Sequence, residues 1–244
     1  NEKVVITKDD LNENPKLNME SSKIFNISNK EILNFTHYEN NFVDFDRDRL
    51  LFHMSSSEGS CICEGDINND GYLDLYIGGS KGYPGSIYLW DKNKFKKHNY
   101  EILNEDKESE DTDCLFFDAN SDGKIDLYIT SGGNEYSVYS PELRDRLYFN
   151  SNNFFKKSDQ ILPAGLFESS SVVKSIDFDM DGDQDLFVGT RLIPQKYGLP
   201  SNGYILKNNG KGIFSNVTKE IASDLKGIGM ISDAVFLDYD NDGD

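Results

Sequence analysis

A nine-residue acidic pattern is written four times along the chain and restricts the fold more tightly than anything else in the sequence. The first copy is Asp66-Ile-Asn68-Asn-Asp70-Gly71-Tyr72-Leu-Asp74. It returns as Asp118-Ala-Asn120-Ser-Asp122-Gly123-Lys124-Ile-Asp126 and as Asp177-Phe-Asp179-Met-Asp181-Gly182-Asp183-Gln-Asp185. A fourth copy, Asp238-Tyr-Asp240-Asn-Asp242-Gly243-Asp244, reaches the last residue before its ninth position. Each complete copy puts oxygen side chains at positions 1, 3, 5 and 9, a Gly at position 6 and a backbone carbonyl at position 7, supplied by Tyr72, Lys124 or Asp183.

Three or four ionised carboxylates folded around one point repel one another unless a cation joins them or some take up protons. Calcium suits such a loop because it accepts about six to eight oxygens in flexible geometry, carbonyls included. Magnesium demands a tighter octahedron, and zinc or copper would call for the His or Cys that these loops lack. The expected cofactor is therefore Ca2+. Its ligands are Asp66, Asn68, Asp70, Tyr72 and Asp74; Asp118, Asn120, Asp122, Lys124 and Asp126; Asp177, Asp179, Asp181, Asp183 and Asp185; and Asp238, Asp240 and Asp242. The third loop is expected to bind most tightly, because position 3 is Asp there and Asn in the other two complete loops.

An EF-hand starts in the same way but closes with Glu at position 12, where this chain has Ile77, Ile129 and Val188. Strands, not helices, are expected after each Gly: Leu73–Ile77, Ile125–Ile129 and Asp185–Val188 are rich in aromatic and β-branched residues and stop at Gly or Ser. The position-9 Asp then stands at the start of a strand. The pattern Asp-x-Asp/Asn-x-Asp-Gly-x-x-Asp-Leu, followed by an apolar strand and Gly-Gly, resembles the FG-GAP and VCBS repeats of integrin-like β-propellers. The stretch Phe35–Phe45, through Leu50–His53 to Gly78-Gly79, is also similar to the propeller opening in bacterial VCBS-repeat surface proteins of the ASPIC/UnbV-related group. The resemblance spans roughly residues 33–244 and implies a secreted or surface-displayed calcium-binding propeller.

Successive loops begin 52, 59 and 61 residues apart, which suits one four-stranded blade each. The fold class expected is all-β, a propeller of four-stranded antiparallel blades with about three blades and the start of a fourth. Residues 1–31 read as a polar arm or linker, and residues 32–244 as the propeller. Ile32–Thr36 and Phe42–Phe45 are expected strands. Cys61–Cys63, Leu73–Ile77, Ser86–Trp90 and Phe95–His98 form a first blade. Cys114–Phe117, Ile125–Thr130, Arg146–Phe149 and Phe154-Phe155 form a second. Val172–Ile176, Leu186–Val188, Tyr204–Leu206 and Ile213–Val217 form a third, and Ser232–Leu237 opens a fourth. Closed propellers usually have about four to eight blades, so the remaining blades are expected from sequence outside this segment.

The formal charge of −18 is concentrated, since the four loops hold 15 of the 43 acidic residues. Such acidity argues against nucleic acid or an anionic membrane as the main partner. No apolar run is long enough to be a transmembrane helix and no signal peptide is visible at Asn1, so for an extracellular protein the text is expected to begin after processing or partway into a longer chain. Cys61, Cys63 and Cys114 read as buried free thiols in preference to a Cys114 bridge. His37, His53 and His98 lack ligand spacing and read as structural.

No nucleophile elbow, HExxH or Walker loop is present, so no catalytic residue is nominated. Two functions fit. One is a protein- or glycan-binding adhesion module at the cell surface, with mainly structural calcium and long loops at Ser131–Arg144 and Arg191–Asn202. Tyr136, Tyr139 and Tyr197 on these loops are candidates for stacking on sugar. The other is the propeller of a calcium-dependent polysaccharide-degrading enzyme such as a lyase, which rests on analogy of fold.

Overall fold

The computed structural model describes residues 32–151, 154–162 and 167–237. The arm at 1–31 and the fourth loop at 238–244 lie outside the described residues. Among the described residues, twelve strands form three separate sheets, each a four-stranded antiparallel meander. The first holds β1 (Ile62–Gly65), β2 (Asp74–Ile77), β3 (Ser86–Asp91) and β4 (Lys94–His98). The second holds β5 (Glu110–Phe117), β6 (Asp126–Gly132), β7 (Arg146–Asn150) and β8 (Phe155–Lys157). The third holds β9 (Ser169–Ile176), β10 (Asp185–Leu192), β11 (Gly203–Lys207) and β12 (Ser215–Asn216). This is a partial β-propeller. Two short helices, α1 (Glu101–Glu105) and α2 (Thr218–Ile221), are the α-helical content of the described residues.

A single sheet cannot bury both of its faces, and the side chains show how stacking solves this. Along β6, Leu127 and Ile129 point into a core shared with Tyr76 and Ile87 of the first sheet and with Cys61 just before it. Tyr128, between them, points the other way, into a core shared with Val173, Leu186 and Val188 of the third. The alternation that defines a strand thus sends neighbouring residues into two different blade interfaces. Likewise Tyr148 on β7 faces the first blade and Leu147 the third. The first strands of successive blades meet, with β5 packed against both β1 and β9.

A buried polar knot crosses between the first two blades. Arg146 Nη2 donates to Asp111 Oδ1 at 2.6 Å, while the Tyr76 hydroxyl and the Gly79 amide both donate to Asp111 Oδ2 at 2.6 Å. Every oxygen of the carboxylate is thereby occupied, which a buried charge requires.

Several expected boundaries move. Phe42–Phe45 is not a strand: Asp44–Asp46 forms one 3-10 turn, because the buried Asp44 carboxylate accepts the Ser56 amide, the Ser56 hydroxyl and the Asn134 side-chain amide. Ile32–Thr36 forms no ladder either, and meets β4 where the Phe95 amide donates to the Ile32 carbonyl at 2.7 Å. The last strand of the third blade is short, Ser215–Asn216 in place of Ile213–Val217. Ser232–Leu237 has no strand pairing among the described residues. The Arg191–Asn202 insert begins later than expected. β10 runs on to Leu192 over two register shifts, and the Thr190 hydroxyl closes the base of the insert by donating to the Asn202 carbonyl at 2.7 Å.

Cys61, Cys63 and Cys114 are free thiols. Cys61 and Cys114 are buried and Cys63 is half-buried. His37 Nδ1 and the Ser60 hydroxyl share a hydrogen bond at 2.6 Å, in a structural setting.

Candidate metal centre

Each complete loop joins the first strand of its blade to the second, and β2, β6 and β10 begin on the position-9 residues Asp74, Asp126 and Asp185. The three loops follow one backbone course. Position 6 has φ of 87°, 80° and 93° at Gly71, Gly123 and Gly182, in the left-handed region that glycine occupies without steric cost. Position 4 is also left-handed, at Asn69, Ser121 and Met180, a strain that sequence spacing did not reveal.

The position-1 carboxylate shapes each turn. Asp66 accepts the amides of Asp70 and Gly71 at 3.0 and 2.8 Å. Asp118 does the same for Asp122 and Gly123 at 3.1 and 2.8 Å, and Asp177 for Asp181 and Gly182, both at 3.0 Å. Position 5 then accepts the position-7 amide: Tyr72 donates to Asp70, Lys124 to Asp122 and Asp183 to Asp181. Position 3 separates the loops. Asn68 and Asn120 each accept the position-5 amide at 3.0 Å, whereas Asp179 meets the ammonium of Lys207.

The position-9 carboxylates are fully buried and act as two-sided clamps. Asp126 accepts the Ala119 amide at 3.1 Å from its own loop and the Asn150 amide at 2.7 Å from the end of β7. Asp74 does so with Ile67 and Trp90, and Asp185 with Phe178 and Asn208. Burial pushes all three carboxyls above the usual carboxylate range, Asp126 to about 6, against the opposing pull of these amides.

Among the described residues, one group of three acidic side chains converges closely enough to share an ion. Asp177, Asp179 and Asp185 each bring one oxygen to within 4.8 Å of the other two. Calcium–oxygen distances of about 2.3–2.6 Å let two ligands of one ion stand up to roughly 5 Å apart, so this trio fits. Asp181 leans instead toward Lys207, 3.1 Å from its Oδ2. The carboxylates of the first two loops keep the backbone pattern without reaching that convergence, and Asp238, Asp240 and Asp242 lie outside the described residues.

Three overlapping stretches, 66–129, 118–188 and 177–244, match the FG-GAP-like repeat. The chain belongs to the FG-GAP-like repeat family. Each match runs from one acidic loop through the next, so the FG-GAP unit here is bounded by the loops whose geometry repeats. The match is to the repeat itself and does not extend to the ASPIC/UnbV-related proteins. No curated protein matches the chain. No helix of the described residues is long and apolar enough to cross a membrane.

Sequence reasoning missed the partners of the position-9 clamp. Asn150 ends β7 and Asn208 directly follows β11, and that recurring Asn at the end of a third strand was the available signal. Tyr136 is corrected as a sugar-stacking residue. It is buried, its hydroxyl donates to the Glu108 carbonyl at 2.6 Å, and Lys81 sits over its ring. Tyr139 is exposed and packs edge-on against Phe167. A different pair, Tyr38 and Tyr83, stacks at 5.6 Å on the surface beside a groove of about 310 Å³.

Proposed function

We propose that this FG-GAP repeat chain is a calcium-stabilised, extracellular binding module that uses its loops and exposed aromatic rings to hold a protein or glycan. The observation that carries the calcium reading is the convergence of Asp177, Asp179 and Asp185. These three, with Asp181, would hold the ion in the third loop, and Asp66, Asp70 and Asp74 or Asp118, Asp122 and Asp126 would do so in the others. Calcium would cancel the mutual repulsion of these carboxylates at the blade corners. The chain's own residues contribute a backbone corner already shaped by amide-to-carboxylate bonds, so the reorganisation left for binding lies in the side chains.

The exposed Tyr38 and Tyr83 supply flat apolar faces suited to a sugar ring or a protein side chain. We read the module as non-catalytic.

Calorimetric titration of the chelator-stripped chain with calcium chloride tests the metal reading. Binding that Asp177→Ala diminishes supports it, and no binding at millimolar calcium overturns it. Incubation of the calcium-loaded protein with a panel of polysaccharides separates retention from chain cleavage, and cleavage would replace the binding module with an enzyme.

A further inference from the structure

The third loop differs from the other two at a second position, far along the chain. The registers Leu75↔Tyr88, Leu127↔Tyr148 and Leu186↔Leu206 make Leu89, Phe149 and Lys207 equivalent, each one residue beyond the pair. In the two blades whose loop has Asn at position 3 this residue is apolar. In the blade whose loop has Asp179 it is Lys207, and its ammonium contacts both Asp179 and Asp181, the latter at 3.1 Å. The first two loops carry three carboxylates at positions 1, 3, 5 and 9, and the third carries four. One ammonium restores the charge of the other two.

We infer that Lys207 is a tethered counter-ion of the third loop, neutralising Asp179 and occupying space that an incoming calcium ion must clear. This rests on the calcium reading above. The side chain is suited to the part: the ammonium is a compact charge on a flexible stem, and Lys207, Asp179 and Asp181 are all partly open to solvent. An ammonium offers three donors and one charge, whereas calcium gathers six to eight oxygens with two, so the ion displaces the lysine at a cost in affinity. The extra carboxylate therefore adds less to the affinity of the third loop while Lys207 is in place. Without metal, the same lysine restrains the repulsion of the loop.

The test is a double-mutant cycle on the full chain, with Lys207→Met, Asp179→Asn and both together, titrated with calcium chloride in chelator-stripped buffer and melted with and without calcium. Asp177→Ala identifies the heat that belongs to the third loop. Lys207→Met should tighten that site by up to about fivefold, the scale of a partly exposed ion pair. In the Asp179→Asn background the gain should largely vanish. Lys207→Met should also lower the melting temperature in chelator more than in calcium. Lys207→Gln repeats each measurement with a polar side chain, separating charge from packing. Unchanged or weaker affinity, the same gain with and without Asp179, or an equal loss of stability in both buffers would overturn the inference while leaving calcium binding intact. No calcium binding by any variant would overturn both.

Discussion

Asn208 and Asp185 close the corner of the third blade: the Asn208 amide donates to Asp185 Oδ1 at 2.7 Å, and its side-chain amide reaches the Ala119 carbonyl of the preceding loop at 2.8 Å. Asn150 repeats the arrangement one blade earlier, donating its amide to Asp126 and its side-chain amide to the Ile67 carbonyl at 2.9 Å. The loops at 66–74 and 118–126 are thus each held by their own blade and by the next. Through these asparagines the order of one corner depends on its neighbour.

Asn208→Ala should therefore destabilise the chain by about 1–3 kcal/mol, since it strips buried partners from Ala119 and from the Asn209 and Gly212 amides. Urea denaturation followed by circular dichroism measures this. A loss within error would show that the cross-blade bonds are dispensable.

Removal of metal should lower the melting temperature, because an ion bound only by the folded state stabilises it by mass action. Asp181→Ala should retain part of that response, the part belonging to the other loops. An unchanged melting curve on adding chelator to calcium-containing buffer would count against structural calcium.

Gly132→Ala should separate the second and third blades. A Cβ there would lie 2.5 Å from Thr112 Cγ2, 2.6 Å from Ser169 Oγ and 2.8 Å from the Ser170 carbonyl. Overpacking of this kind costs about 1–3 kcal/mol, readable as a lower denaturation midpoint.

Glu110 gives the chain a pH dependence away from the acidic loops. Burial raises its carboxyl to about 8; the Lys81 amide opposes the shift, while the Glu39, Glu135 and Asp111 carboxylates add to it. Because the folded value lies above the unfolded one, stability from this group is complete below the unfolded value, about 4.5. It declines as pH rises and is lost once pH passes the folded value. Glu110→Gln should flatten that part of the profile, making the variant relatively more stable at pH 9 than at pH 5, as thermal melts at the two pH values would report.

The repeated loop determined much of this protein by itself. Side-chain oxygens at fixed spacing, a Gly at position 6 and an apolar strand after position 9 are local properties, so the three described blades, the strands around the three complete loops and the left-handed turns at Gly71, Gly123 and Gly182 were legible. The same alternation marks Leu127 and Tyr128 for opposite faces of a sheet, but no pattern says which neighbour each face meets. Contacts across long separations needed the folded chain. Asp44 turns Phe42–Phe45 out of a strand through partners at Ser56 and Asn134, and Tyr136 is buried because its hydroxyl finds the Glu108 carbonyl. The pairing of Lys207 with Asp179 spans 28 residues, and strand register alone brings them together. Spacing fixes what a loop can offer an ion, while blade stacking decides which charges are already answered by the protein itself.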